Sequence, residues 1–276
     1  MKAIKAILIL CVTICFTSSC KKDLDMTLKQ KTQFENADLR QIEVGDAWEL
    51  HLVADTVTYV EVDYSAYLEP YLKVRMEGTK LEVGFTMKVY PTLNSVFRAT
   101  VHTPHLDKLE AQDAAQVRCE GILQGHETEV SLAEASRCHG LEIEGESCLI
   151  KLDDASVMTG LQFVGNRFKA VLEDASQFNG ELVATENTEI DLGDASRFVG
   201  KGTSGQASLR LTDACILNMA ETEVGAMTVE LSDGSVATVF VTQTLDGTLT
   251  DGSTLYYKGN PQKNIECSDD SQLVPF

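Results

Sequence analysis

The chain contains 276 residues, of which 43% are hydrophobic and 24% are charged, and its formal net charge is −19. This length and apolar content suffice for one large domain or two small ones and exclude a wholly disordered chain. Because nucleic acids and anionic membrane surfaces are polyanions that repel such a protein, we do not expect either as its main partner.

Residues 1–19 have the pattern of a secretory signal peptide. Two lysines precede an apolar run, Ala6 to Phe16, that is too short for a stable membrane-spanning helix. The small residues before Cys20 resemble the lipobox of bacterial lipoproteins, although Thr17 stands where the consensus has Leu. In that motif the cysteine is acylated and becomes the first residue of the mature chain. We therefore predict lipid attachment at Cys20.

Residues 20–38 are predicted to be the lipid anchor and a flexible polar tether, with lysines at positions 21, 22, 29 and 31. The partner implied for this region is a membrane, reached through lipid, in a compartment that permits disulfides. We expect an outer-membrane lipoprotein of the cell envelope. Whether it faces the periplasm or the cell surface stays open.

Residues 39–108 are predicted to form a β-rich N-terminal segment or the first rungs of the domain that follows. Turn-like pairs stand at Gly45-Asp46 and Glu77-Gly78. The strand-like stretches are Gln41 to Val44, Trp48 to Val53, Val57 to Val62, Tyr71 to Met76, Leu81 to Phe85 and Val96 to His102.

From residue 109 onward an acid, a small residue and usually a serine recur. The acids of the first eight copies are Asp113, Glu134, Asp154, Asp174, Asp194, Asp213, Asp233 and Asp251, and a degenerate ninth copy follows at Asp269. The successive spacings are 21, 20, 20, 20, 19, 20, 18 and 18 residues. A nearly constant period of this length indicates a stack of structural repeats.

Apolar residues alternate around each acid. In one copy they stand four and two places before it, at Ile190 and Leu192, and four places after it, at Phe198. This period indicates strands with one buried face, and recurrent glycines indicate two further bends. We predict an all-β fold: a right-handed parallel β-helix of three-strand, roughly 20-residue rungs over residues 109–276. Its polar end, Asn260 to Phe276, is predicted to be a cap.

The order of segments resembles a known family, the putative autotransporter adhesin, head GIN domain family of Bacteroidetes-type envelope lipoproteins. The segments are Gln41-Ile42-Glu43-Val44-Gly45-Asp46, Tyr59-Val60-Glu61-Val62, Leu81-Glu82-Val83 and Val101-His102-Thr103-Pro104-His105-Leu106. The resemblance covers residues 39 to 258 and implies a β-helical envelope protein with an adhesive or surface role. It supplies no catalytic residues. Many members have Gly-Ser-Gly at the repeat corner, where this chain has Asp-Ala-Ser, so no role of that corner is transferred.

The column of corner acids allows two interpretations. Carboxylates at rung spacing repel by about 1 kcal/mol per solvated pair, so something must offset that cost. In the structural interpretation each acid accepts hydrogen bonds from backbone N–H groups one or two residues on, as in an Asx turn. In the other, the column is a calcium ladder. We favour the structural role, because the nonapeptide repeat of calcium-binding β-rolls is missing, and we predict no metal or cofactor.

The cysteines and histidines do not form a recognisable metal motif. Without a C-x-x-C pair, zinc is not expected, and the inward positions of Cys138 and Cys267 favour free buried thiols. A disulfide of Cys138 with Cys148 or Cys119 stays open. Cys215 replaces a corner serine. The histidines are scattered, as surface or turn residues are: His51, His102, His105, His126 and His139.

Two classes of function are compatible with these patterns. The first is a non-catalytic, adhesin-like rod that presents a repetitive face to a glycan or an envelope protein. The second is a polysaccharide lyase or glycoside hydrolase, which rests on analogy with other β-helices. The rung spacing of 18 to 21 residues leaves little sequence for the loops of an active groove. We therefore predict a binding or structural protein and no enzyme, with its ligand and oligomeric state open.

Overall fold

The computed structural model describes residues 24–276. The predicted signal peptide and lipid attachment at Cys20 lie outside the described residues and stay predictions. Within the described residues the chain is nearly all β and forms a solenoid of about eight turns. The predicted fold class is confirmed.

The N-terminal part contains seven strands and a 3₁₀ helix. The strands are β1 (Leu28–Gln33), β2 (Gln41–Val44), β3 (Glu49–Ala54), β4 (Tyr59–Ser65), β5 (Leu72–Glu77), β6 (Lys80–Phe85) and β7 (Phe97–Thr103). The helix, Ala66–Tyr71, lies between β4 and β5. Strands β2 to β7 correspond to the six predicted stretches, with ends that differ by a few residues.

Strand β1 corrects the prediction of a flexible tether over residues 20–38. It pairs antiparallel with β4, from Leu28 opposite Ser65 to Gln33 opposite Val60. Its side chains are almost all exposed, so it carries no alternation of buried and exposed residues. The ladder of main-chain hydrogen bonds orders this segment, and side-chain patterns do not report such bonds.

The solenoid body contains thirteen strands. They are β8 (Lys108–Ala111), β9 (Gln116–Glu120), β10 (Ile122–Leu132), β11 (Arg137–His139), β12 (Glu142–Leu152), β13 (Val157–Leu172), β14 (Gln177–Leu192), β15 (Arg197–Leu211), β16 (Ile216–Leu231), β17 (Val236–Leu249), β18 (Thr254–Lys258), β19 (Gln262–Cys267) and β20 (Gln272–Pro275). From β13 to β16 the three predicted strands of each rung are joined into one bent strand. The parallel ladder continues through both bends, which register shifts mark between β13 and β14.

Equivalent residues of successive rungs stack directly above one another. Leu152 pairs with Leu172 and Leu172 with Leu192, and all three are almost fully buried. The rings of Phe178 and Phe198 stack at 4.5 Å. Because each rung is too thin to enclose its own apolar face, the core is one column that runs through every rung.

The first rungs do not follow chain order. Strand β2 pairs in parallel with both β6 and β8, and β3 pairs in parallel with both β7 and β9. The chain therefore leaves the solenoid after β3, forms the outer rung β6–β7, and crosses back to start β8. Residues 39–108 thus include true rungs of the solenoid.

The two ends of the stack are built differently. At the N-terminal end β5 pairs antiparallel with β6, and β4 pairs antiparallel with β7. At the other end β19 and β20 pair in parallel with β17 and β18. The residues after Asn260, predicted to be a polar cap, add the last rung of the stack, because they continue the repeat's register. Within residues 24–276, no strand pairs with its outer edge.

Candidate functional site

Each acid of the column occupies the first central position of a tight turn. In a typical turn the N–H of Ser176 donates to the carbonyl of Glu173 at 3.2 Å. The two residues between them, Asp174 and Ala175, have φ of 51° and 60°. Two successive positive φ angles define a type I′ turn, in which Asp, Asn and Gly are favoured because they tolerate the left-handed region. The recurring acid thus has a conformational reason.

Main-chain hydrogen bonds connect each turn to the next. The N–H of Ala175 donates to the carbonyl of Asp194 in the following rung, at 2.8 Å. The same bond recurs at every corner from Ala47, which donates to Asp113, to Gly252, which donates to Asp269. These bonds satisfy the turn backbone and fix the vertical stacking of the acids.

The stack of turns begins one copy earlier than the repeat search found. Asp46 and Ala47 have φ of 54° and 58°, as the later copies do. Their copy escapes the periodicity because the excursion through β4–β7 separates Asp46 from Asp113. The Asp-Ala pair was the available signal. In this copy the place of the serine is taken by Trp48, which is fully buried against Phe85 and Phe97.

The column acids do not make the predicted Asx hydrogen bonds. All turns of the column but one are closed by a main-chain hydrogen bond, and in the exception the Cys215 N–H donates to the Ser235 hydroxyl at 3.2 Å. The Asp233 carboxylate accepts a hydrogen bond from the Ser232 hydroxyl at 2.6 Å. A hydrogen bond shared with the Asp153 carboxyl, together with repulsion from neighbouring acids, raises the pKa of Asp174. A hydrogen bond shared with Asp113 raises the pKa of Glu134 in the same way. The column therefore keeps part of its mutual repulsion.

The acids offer a poor fit to calcium. Within the part of the chain that the structure describes, three carboxylates can converge: one oxygen each of Asp153, Asp154 and Asp174 lies within 4.8 Å of the others. Asp153 was not among the predicted residues. Calcium takes six to eight oxygen ligands, about twice what this cluster supplies. The positive φ angles account for the acids without a metal, and a structural role of the column stays our prediction.

The serines of the repeat line the inner side of the corner. Six are fully buried: Ser136, Ser156, Ser176, Ser196, Ser235 and Ser253. The Ser156 hydroxyl donates to the Asp153 carbonyl at 2.6 Å, and the Ser253 hydroxyl to the Leu231 carbonyl at 3.1 Å. A small side chain is needed because the turn brings the backbone close to the rung below. These buried hydroxyls cannot act on a ligand from solvent.

All five cysteines of the described chain are free thiols. Cys138, Cys148 and Cys215 are buried, and Cys119 is half-buried. Burial raises the pKa of the Cys148 thiol, and a hydrogen bond with Cys138 raises the pKa of Cys119, so neither is a ready nucleophile. Cys267 is exposed, which corrects its predicted inward burial: it lies on the last rung, where no further rung covers that column.

The histidines contact different partners and do not converge. His102 Nδ1 lies 3.1 Å from an Asp55 carboxylate oxygen, and the His102 ring stacks on Tyr59 at 4.0 Å. His126 Nε2 lies 3.0 Å from a carboxylate oxygen of Glu146. These are single polar contacts and ring contacts of the kind found on many protein surfaces.

A concave area on the outer face of the strands from β8 to β14 is the best candidate for ligand binding. It encloses about 500 Å³, and its lining includes Lys108, Glu129, Arg167, Lys169 and Glu189. Strands β8, β10, β13 and β14 bring these side chains together, and β12 adds Leu149 between them, because residues about twenty apart share one column. Sequence reasoning missed this face, although its charges could have been found by aligning the outward positions of the repeats. We call it the charged face.

Acids and bases of the charged face pair across rungs. Lys151 Nζ lies 2.9 Å from Glu129 Oε1, and Lys169 contacts Glu189. Beside them Arg167 Nη2 lies 2.8 Å from Glu146 Oε1. Exposed pairs of this kind contribute only about 0–1 kcal/mol each, so a polar ligand can displace them at low cost. The face can therefore offer both hydrogen-bond donors and acceptors to a polar polymer.

Comparisons with known proteins agree with this architecture. The chain aligns with a crystal structure of a putative adhesin from Parabacteroides merdae with a TM-score of 0.67 and 14% identity, over 90% of this chain and 96% of that one. A putative adhesin from Parabacteroides distasonis gives a TM-score of 0.67 and 16% identity, over 91% and 98%. A putative lipid binding protein from the same species gives 0.64 and 14%, over 92% and 98%. At these identities the likeness establishes the fold.

No curated protein matches the sequence. Residues 38–261 match the profile of a family described as "putative auto-transporter adhesin, head GIN domain". This range spans β2 to β18 and therefore nearly the whole solenoid. It includes the segments between Gln41 and Leu106 that resemble this family. The chain belongs to the putative auto-transporter adhesin, head GIN domain family.

Proposed function

We propose that this protein is a lipid-anchored rod of the bacterial cell envelope that binds a polar polymer, such as a glycan or a surface protein, without cleaving it. The observation that carries this proposal is the charged face. Its acids and bases are presented in register by strands of successive rungs, as a repeating ligand requires.

The surroundings of the charged face favour binding over catalysis. From β12 to β17 the rungs are joined by two-residue turns, which leave no loops to enclose a substrate or exclude water. Of the four carboxylates that line the concavity, Asp107, Glu127, Glu129 and Glu189, the last two are each paired with a lysine. The hydrogen bond from Lys151 lowers the pKa of Glu129 and so holds that carboxylate in the charged form, whereas a glycosidase requires one carboxyl that stays protonated.

The names of similar structures support a binding role. Two of the neighbours are called adhesins and one a lipid binding protein, and the family itself carries an adhesin description. In residues 24–276 no helix is long and apolar enough to cross a membrane. Attachment through lipid on Cys20, at the outer membrane, is consistent with the signal sequence.

Attachment is tested by mass spectrometry and flotation of the protein made in a bacterium that processes lipoproteins. We expect a mature chain that starts at Cys20, carries acyl chains of palmitate length and floats with vesicles. Cys20→Ser should abolish acylation and flotation. An unmodified mature chain would contradict the lipid anchor.

Binding is tested with the acylated protein in vesicles, presented to an array of glycans and envelope polymers. We expect retention that falls in an R167Q/K169Q variant. The matched control is Lys201→Gln, which removes an exposed lysine paired with Glu181 on another part of the rod. Retention that is equal in both variants would exclude the charged face, and shortened polymer in the eluate would overturn the non-catalytic assignment.

A further inference from the structure

The outermost N-terminal rung carries the one long loop of the solenoid among residues 24–276. Between β6 and β7, residues 86–96 replace the two-residue turn found at the same corner of the later rungs. The loop exposes large apolar side chains: Met87 is 59% exposed, Tyr90 79% and Leu93 100%. Isolated exposed residues are common, but three in seven positions of one loop form a patch that needs a partner.

The start of the described chain is attached to this loop. Tyr67 connects the two, because its N–H donates to the Asp25 carbonyl at 3.0 Å and its hydroxyl accepts from the Thr92 N–H at 3.3 Å. The Thr92 hydroxyl also lies 3.9 Å from the Met26 sulfur. Leu24 and Met26, which are 43% and 38% exposed, therefore extend the apolar area of the loop.

We define the anchor-end patch as Leu24, Met26, Met87, Tyr90 and Leu93. The described residues contain twelve exposed large hydrophobic side chains in all, so this one end of the rod carries nearly half of them. The loop also carries a cation in a protein of net charge −19: the Lys88 ammonium lies 5.5 Å from the centre of the Tyr90 ring.

We propose that the anchor-end patch inserts into the interface of the membrane that holds the lipid on Cys20. This inference rests on the proposed lipid attachment. Only four peptide steps join Cys20 to Leu24, so the first residue of the patch lies within about 14 Å of an acylated Cys20. Leucine and methionine side chains gain free energy by leaving water for the acyl region, and tyrosine and lysine place their polar ends among the headgroups.

This contact would also orient the rod. The loop belongs to the N-terminal end, so insertion places strands β4 to β7 nearest the membrane and the last rung farthest from it. A lipid tether alone would leave every orientation open. Insertion of the patch would therefore give the charged face a defined orientation relative to the membrane.

The test uses tryptophan fluorescence of the full acylated chain in phosphatidylethanolamine–phosphatidylglycerol vesicles with brominated acyl chains, which quench by contact. The single native tryptophan, Trp48, is fully buried and supplies an internal background. Tyr90→Trp reports on the patch. Tyr256→Trp, an exposed tyrosine on β18, is the matched control at the far end.

We expect the brominated vesicles to quench the fluorescence of the Tyr90→Trp variant but not that of the Tyr256→Trp variant. Adding Leu93→Asp to the Tyr90→Trp variant should prevent this quenching. Flotation of the same samples reads the anchor separately. If both variants float with the vesicles and neither is quenched, the lipid anchor holds and insertion is overturned. If neither floats, the anchor fails and insertion fails with it. Because Tyr90 and Leu93 lie in an exposed loop, their substitution should leave the fold intact.

Discussion

The two ends of this solenoid protect their unpaired strand edges in different ways. A stack of parallel rungs leaves unpaired N–H and C=O groups at both ends, and such edges invite association with other chains. The N-terminal edge is covered by β4 and β5, which run antiparallel to the rung beneath them. The C-terminal edge is the uncovered backbone of β19 and β20.

The difference lies in what each end adds to the core. The N-terminal cover buries Tyr64 and Leu68, and the rung beneath it packs Phe85 and Phe97 against Trp48. The last rung buries little: every residue of β19 except Ile265 is exposed. Its edge carries Lys263, Glu266 and Pro275, residues that discourage strand addition. One end is thus closed by packing, and the other is protected by charge and by proline.

The largest expected effect is the loss of core packing at the closed end. Trp48→Ala should lower the free energy of unfolding by about 3–5 kcal/mol, because it removes a fully buried ring between two others. Ile265→Ala at the open end is the control, with an expected loss of about 1–2 kcal/mol. Urea denaturation followed by circular dichroism measures both. Equal losses would mean that the two ends contribute alike to the core.

The rungs between the ends should tolerate less change than either surface. A Cβ at Gly145 would lie 2.0 Å from the Gly125 carbonyl oxygen, a main-chain atom that cannot move aside. Gly145→Ala should therefore cost about 1–3 kcal/mol or more. Gly193→Ala is the control, because the nearest atom to its new Cβ would be Thr212 Oγ1 at 3.9 Å. Its free energy of unfolding should change by no more than about 0.5 kcal/mol. A tolerated Gly145→Ala would show that the stack relaxes.

A smaller, pH-dependent effect is expected at Glu82, on the β5–β6 hairpin of the closed end. Hydrogen bonds from Arg75 and Lys73 lower the pKa of Glu82 from 4.5 to about 2. A lowered folded-state pKa stabilises the protein above pH 4.5, and that stabilisation is lost as the pH falls toward 2. Glu82→Gln should therefore lower the melting temperature at pH 7 and have little effect at pH 2. The same difference at both pH values would exclude the ion pairs as its cause.

The smallest effect, of opposite sign, is expected along the acid column between the ends. Because neighbouring carboxyls raise the folded-state pKa of Asp174, its charge destabilises the protein at neutral pH, and this cost disappears as the pH falls through that raised pKa. Asp174→Asn removes the charge and still tolerates the positive φ.

We therefore expect Asp174→Asn to raise the melting temperature slightly at pH 7 and to leave it unchanged at pH 3. Asp174→Ala is the control, because it removes the same charge from a left-handed position that alanine disfavours. It should not stabilise. If Asp174→Ala raised the melting temperature as much as Asp174→Asn, the left-handed backbone conformation at this position would not matter for stability.

Much of the solenoid could be predicted from the sequence because its core repeats. The leucines before each acid alternate with polar residues and recur at one period, so strand, buried face and stack followed together. The charged face was missed, because it becomes visible only when the outward residues of separate rungs are aligned in one column. The order of the first rungs was equally hidden: β2 and β3 stand between strands that come later in the chain.

The sequence by itself determined the repeat, the burial of its apolar columns and the positions of the turns, because all three are set by local alternation and by the conformational tolerance of aspartate. Only the tertiary structure decided how the stack ends. Whether a terminal strand covers an edge or adds a rung depends on its direction relative to the rung beneath it. That direction is set by long-range hydrogen bonding and packing. The side-chain patterns of β1 and β19 do not indicate it.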